Sequence, residues 1–141
     1  MKKTFLLSAI AMTLLACNSS NPLLDAPETP YGVPAFDQVK IEHYMPAFEA
    51  AIAEQKAEID AIVNNPAEPT FDNTIVALDR TGMLLERVSG VFFNVLEADG
   101  NDEMNAIAEQ VSPLLRELSD GIILNEQLFQ RVKTVYDQRE Q

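Results

Sequence analysis

From Ile41 onward, apolar side chains recur along this 141-residue chain at steps of three and four, the spacing of one face of an α-helix. The first stripe is Ile41, Tyr44, Met45, Phe48, Ala51, Ile52, Ile59, Ile62 and Val63, interrupted near Gln55. Glu42, Glu49, Glu54, Glu58 and Asp60 fall largely on the other side, so the pattern predicts an amphipathic helix over 41–63. Pro46 is compatible with it only in the first turn, where no intrahelical amide bond is lost. Asn64-Asn65-Pro66 then stops it. A second helix follows Thr70, with Asp72 as the expected N-cap and Phe71 and Val76 at the positions of a hydrophobic staple. It reads on to about Ala98 and carries two stripes: Ile75, Leu78, Leu85, Phe92, Leu96, and Val76, Met83, Val88, Val91, Val95. A helix that is apolar on two faces is buried against several neighbours, so this one is expected at the centre. Gly82 and Gly90 interrupt it, each costing about 1 kcal/mol relative to alanine. They permit either a close helix contact or a bend.

Asp99-Gly100-Asn101 reads as a turn in which Asn101 caps a third helix. Met104, Ile107, Val111, Leu114, Leu115, Leu118 and Ile122 keep its period, and Pro113 is expected to kink or split it. Asn125 caps a fourth helix, with Leu124 and Phe129 at staple positions and Leu128, Phe129, Val132, Val135 and Tyr136 as its apolar face. The sequence stops at Gln141 with no C-cap glycine or breaker, as if the helix wanted more chain. No stretch alternates with the period of a strand. The fold class expected is all-α: an antiparallel helical bundle over 41–141, incomplete at its C-terminus.

The first forty residues are different. Lys2 and Lys3 precede an apolar run from Phe5 to Leu15 that is too short to span a bilayer, and Leu14-Leu15-Ala16-Cys17 follows. That order predicts a secretory signal peptide over 1–16. It resembles the lipobox of bacterial lipoproteins, which implies acylation of Cys17 at the new N-terminus. Cys17 is the only cysteine, so export would permit a disulfide but the chain cannot form one with itself. Residues 17–40 read as a lipid-anchored tether and a proline-rich arm. Pro22, Pro27, Pro30 and Pro34 exclude a helix, while Leu23, Leu24, Tyr31, Val33 and Phe36 suggest extended chain docked on the bundle. The expected location is the bacterial cell envelope, membrane-anchored on its periplasmic or surface side.

Charge narrows the partners. Without Lys2 and Lys3 the mature chain carries 8 basic and 22 acidic residues, a formal charge of −14. Such a surface repels phosphate backbones, so nucleic acid is excluded as a partner. It also gives no electrostatic help at an anionic bilayer, which leaves the acyl chains as the anchor. Candidate chemistry is sparse. His43 is the sole histidine, so no H-E-x-x-H zinc site with two imidazoles one helical turn apart can form. It could serve as a base, but no nucleophile motif accompanies it, and a surface or packing role fits better. Glu54 and Glu58 share a helical face and could hold a cation weakly. Asp99, Asn101, Asp102 and Glu103 superficially suggest a calcium loop, but Gly100 stands second where that loop needs its glycine sixth. No catalytic, cofactor-binding or metal residue is assigned, and the one site residue is the lipidation site, Cys17.

The stretch from Asn21 to Gln141 resembles the N-terminal region of the peptidyl-dipeptidases, within the thimet oligopeptidase family of zinc metallopeptidases. Asn21-Pro22-Leu23-Leu24, Phe36-Asp37-Gln38, His43-Tyr44, Pro46-Ala47-Phe48, Asn73-Thr74-Ile75, Val91-Phe92-Phe93, Asn101-Asp102-Glu103 and Leu128-Phe129 with Arg131-Val132 carry the likeness in one register. The resemblance implies a protein several times longer, folded as two mostly helical lobes around a deep channel. Its zinc lies on an H-E-x-x-H helix with a downstream glutamate in the C-terminal half, and its activity is release of C-terminal dipeptides from short peptides. On that reading this chain supplies the opening helices of one lobe, with no cofactor of its own. Its partners are the remaining C-terminal lobe, short peptide substrates of the complete protein, and the membrane. The alternative is a stand-alone helical lipoprotein acting as a binding or structural module.

Overall fold

The computed structural model describes residues 21–139. The expected leader and Cys17 lie outside them. Helices and turns account for the described residues, with no strand among them. The order is a one-turn 3-10 helix in the arm (Pro30–Gly32), α1 (Ile41–Val63), a π-helical segment (Phe71–Val76) running directly into α2 (Ala77–Asp79), α3 (Met83–Asp99), α4 (Asp102–Ile123) and α5 (Glu126–Asp137). The all-α bundle expected from the periodicity is therefore the observed fold.

The centre of the bundle is α1, not the second predicted helix. It packs against α3, α4 and α5. It buries Tyr44, Ala47, Phe48, Ala51, Ile52, Ile59 and Ile62, and its two small alanines let neighbouring backbones approach. Phe48 and Phe92 are fully buried at the heart of the core. Phe92 meets Phe48 edge-to-face at 5.3 Å and Tyr44 at 4.9 Å between ring centroids, the geometry that the ring quadrupoles favour. Leu85 and Leu118 are buried in the same core, with Leu96 and Leu114 half-buried against it. A smaller cluster of Ile59, Ile62 and Leu128 joins α1 to α5.

The helix expected from Asp72 to Ala98 is broken at Arg80–Gly82. Gly82 adopts the left-handed conformation, φ 76° and ψ 15°, at the start of α3. Its amide donates to Glu58 Oε2 at 2.8 Å, and a Cβ placed there would lie 2.5 Å from Gln55 Nε2. Gly82 thus marks both a bend and a close approach to α1. The gap in the apolar stripe of α1 near Gln55 is where this turn docks. Gly90 does neither: it is exposed inside α3, and a Cβ there would meet nothing within 4 Å.

The start of the second segment also differs from expectation. Thr70, not Asp72, is the N-cap: its Oγ1 accepts from the Asn73 amide at 3.1 Å, and Asn73 Oδ1 accepts from the Thr70 amide at 2.8 Å. This is a capping box with Asn in the place usually held by Glu or Gln. Phe71 is 63% exposed, so the Phe71–Val76 staple does not form. Asn101 and Asn125 cap α4 and α5 as expected, their Oδ1 atoms each accepting from an amide three residues on at 2.9 Å. Leu124 and Phe129 are largely exposed, so no buried staple accompanies the second of these caps.

Both prolines are absorbed. Pro46 falls in the second turn of α1, beyond the first turn expected for it, and Pro113 does not split α4. Each ring removes an amide donor from the carbonyl four residues back. Those carbonyls belong to Glu42 and Glu109, both exposed, where water can take the place of the lost donor.

The arm is held at both ends, by Asn21 and Leu23 at its start and by Val39 before α1. Asn21 Nδ2 donates to the His43 carbonyl at 2.7 Å, so Asn21 is bound to the bundle and is not part of the tether. Leu23 is buried, and Arg87 Nη2 donates to the Leu24 carbonyl at 2.8 Å and the Leu23 carbonyl at 3.3 Å. Of the arm's other large apolar residues, Leu24, Tyr31, Val33 and Phe36 are exposed, while Val39 is half-buried against the core. The arm is not the docked extended chain expected: its anchored start is a turn, closed by the Leu24 amide donating to the Asn21 carbonyl at 3.0 Å, and a short 3-10 turn interrupts it at Pro30–Gly32.

Candidate functional site

His43 is half-buried at the start of α1, where its Nδ1 accepts from the Lys40 amide at 3.1 Å. An imidazole nitrogen occupied in this way is closing a helix end, as a capping side chain does. Glu58 is likewise engaged by the Gly82 amide, while Glu54 stands exposed, so the two do not act together. Asp99, Asn101, Asp102 and Glu103 are exposed, and Asn101 is occupied as the cap of α4. Among the described residues no group of three or more His, Cys, Asp or Glu is arranged to hold a metal ion. No described helix is long and apolar enough to cross a membrane.

The periodicity pointed to an all-apolar inner face on α5 and so passed over Arg131. Arg131 is 9% exposed. Its Nη1 donates to the Asn65 carbonyl at 2.9 Å and its Nη2 to Asn73 Oδ1 at 3.3 Å, with the Ala67 carbonyl at 3.5 Å from both nitrogens. Phe129 and Tyr136, placed on the apolar face by the sequence, are more than half exposed. The cause lies in the connection between α1 and the π-helical segment. It crosses α5 with backbone carbonyls that no helix satisfies, and a guanidinium fork can serve several of them at once. Arg87 plays the corresponding part for the arm. Neither guanidinium has a carboxylate within salt-bridge distance among the described residues. Tyr44, buried beside Phe92, has its phenol pushed above the ordinary value by desolvation.

Several concavities lie on the described surface. The largest, about 610 Å³, runs between the arm and the outer face of α3 and is lined by Pro34, Phe36, Met83, Glu86, Gly90 and Val91 among others. A second, about 510 Å³, lies within the arm, from Pro22 to Lys40 and His43, and is more polar. A third, about 310 Å³, is bounded by Lys56 and Asp60 of α1 and Glu117 and Gly121 of α4. The second is lined by Asp25, Glu28, Thr29 and His43, but Thr29 Oγ1 donates to the Val33 carbonyl and His43 Nδ1 accepts from the Lys40 amide, so the two are not set as nucleophile and base.

Comparison with known proteins supplies what this geometry lacks. No family model matches the chain. Over 121 residues, or 86% of its length, the chain is 48% identical to the dipeptidyl carboxypeptidase of Salmonella typhimurium. It is 47% identical over 120 residues to the dipeptidyl carboxypeptidase of Escherichia coli. Oligopeptidase A of Salmonella typhimurium is more distant, at 27% over 118 residues, or 84% of this chain and 17% of that protein. The chain spans about 18% of the length of the two dipeptidyl carboxypeptidases. It is a homologue of the dipeptidyl carboxypeptidases, and more distantly of oligopeptidase A, matching less than a fifth of their length.

Proposed function

We propose that this chain is the N-terminal part of an exported zinc metallopeptidase, a peptidyl-dipeptidase that releases C-terminal dipeptides from short peptides. The identity of 48% over 121 residues to a protein named dipeptidyl carboxypeptidase carries this reading. The matched stretch contributes architecture. The described residues offer no seat for zinc, so no step of the hydrolysis is assigned to them. Their part is to form one wall of the lobe and, with it, to limit access to short unstructured peptides. Export and attachment to the cell envelope through acylated Cys17 belong to the same proposal, and rest on the order of the first seventeen residues.

The test begins with the coding sequence after codon 141. Open frame carrying H-E-x-x-H supports the proposal, and a stop with no such motif downstream overturns it in favour of a stand-alone lipoprotein. The longer protein and the 141-residue chain are then incubated separately with a short peptide, with and without a zinc chelator. Chelator-sensitive release of C-terminal dipeptides by the longer protein alone is the expected result. Release by the 141-residue chain, or a longer protein with the zinc motif that cleaves nothing, refutes the assignment.

A further inference from the structure

Gly90 has no reason to be glycine among its described neighbours. It lies inside α3, where glycine weakens a helix. It is not among the glycines with positive φ, and a Cβ built on it would meet nothing within 4 Å. Gly82, by contrast, needs both its backbone conformation and its missing side chain. Gly90 also forms part of the floor of the largest groove, between the arm and α3. Phe36 and Met83 edge that groove at 51% and 62% exposure, with Pro34 and Val91 between them. Exposed apolar side chains flanking an open backbone surface are what a closely packed neighbour leaves behind when it is absent.

We infer that the groove floored by Gly90 seats an apolar segment of the same polypeptide from beyond residue 141. This rests on the reading that the chain is part of a longer peptidase. The homologues supply the length argument: they match this chain over 86% of its residues, while those residues make up only 18% of their own. More than four-fifths of such a protein therefore has to pack somewhere against or beside this bundle. The lining sets the chemistry of the occupant: Pro34, Phe36, Met83 and Val91 call for apolar side chains, while Glu86 and Arg87 beside them offset each other in charge.

Oxidation of Met83 by dilute peroxide reads the groove directly. Met83 is exposed in the 141-residue chain, whereas Met104, 2% exposed, serves as the protected reference. In the longer protein Met83 is expected to oxidise at least about tenfold more slowly than in the 141-residue chain, because sulfoxide formation follows exposure. Gly90→Leu should return the Met83 rate in the longer protein to within about twofold of the short chain, by blocking the seat. The same substitution should leave the short chain folded, and Gly90→Ala should raise its unfolding midpoint by about 4 °C. Equal Met83 rates in the two proteins overturn the inference, as does a Gly90→Leu longer protein that keeps Met83 protected. Protection that appears in the short chain alone as its concentration rises also overturns it, because a second copy is then the occupant. Dipeptide release by the same longer protein is scored separately. An active peptidase with an exposed Met83 sinks only this inference, and an inactive one with a protected Met83 sinks only the proposed activity.

Discussion

Arg131 shows how much one side chain can hold together here. It joins α5 to the carbonyl of Asn65 and to Asn73, the residue that completes the Thr70 capping box. Removing it leaves those groups to recruit water at a partly closed site. Arg131→Ala is therefore expected to cost about 1–2 kcal/mol in chemical unfolding. Arg131→Lys should recover little of that, since one ammonium cannot span the fork. A loss below about 0.3 kcal/mol would show that the connection is held by other means. Tyr44 gives a pH signature. Burial raises its phenol above the ordinary value of 10.0, so the folded state keeps the proton while the unfolded state gives it up. The stability this represents is fully present below about pH 10 and is lost as pH rises through the folded value. Tyr44→Phe should flatten alkaline unfolding, read as the slope of unfolding free energy against pH above about 9.5; an unchanged slope refutes the assignment.

At the scale of elements, the aromatic cluster decides the stability of the α1–α3 pair. Phe92 is fully buried and touches three other rings. Phe92→Ala should cost about 3–5 kcal/mol in equilibrium unfolding, because backbones fixed by the rest of the bundle cannot collapse into the space. A cost under about 1 kcal/mol would place the residue at the periphery. The elements also show what a single sequence reveals. The bounds of α1 and the caps Asn101 and Asn125 could be read from residue type and period, because both signals are local. The break at Gly82 could be named only as one of two outcomes. Its cause is Gln55 and Glu58, residues on another helix. Thr70 was passed over because its box partner is Asn73, outside the usual Glu or Gln. Arg131 was missed because periodicity sorts residues by hydropathy, and a guanidinium buried against carbonyls breaks that sorting. Apolar periodicity likewise says that Phe129 and Tyr136 want cover without saying whether this stretch supplies it. The site was legible only as far as the residues could reach: one histidine argued against a zinc centre, and kinship came from motif likeness.

At the scale of the whole molecule, the question is attachment. If Cys17 carries acyl chains, each buried CH₂ contributes about 0.8 kcal/mol, and two or more chains hold a protein stably at a bilayer. Cys17→Ala should then release the protein from the membrane fraction or leave its leader uncleaved. Unchanged fractionation and size would remove lipidation from the account. The acidic surface makes this a clean experiment, since a formal charge of −14 without Lys2 and Lys3 gives no independent affinity for anionic lipid to mask the loss.

If Cys17 is lipidated, the bond from Asn21 to the His43 carbonyl limits the length of the leash. Asn21 is fastened to the first turn of α1, so covalent geometry alone bounds how far a lipid on Cys17 could stand from it. Four residues reach at most about 14 Å even when fully drawn. A bilayer-bound Cys17 would therefore hold the first turn of α1 close against the headgroups and restrict how far the body can roll or drift. If the proposed peptidase is moored in this way, it would not sweep the whole compartment but would work in a thin layer along the membrane face, meeting peptides that arrive at that surface. Inserting twenty flexible residues after Asn18 would let it out by tens of ångströms without touching the bundle. The distance from α1 to the bilayer, measured by energy transfer to a labelled lipid, should lengthen accordingly.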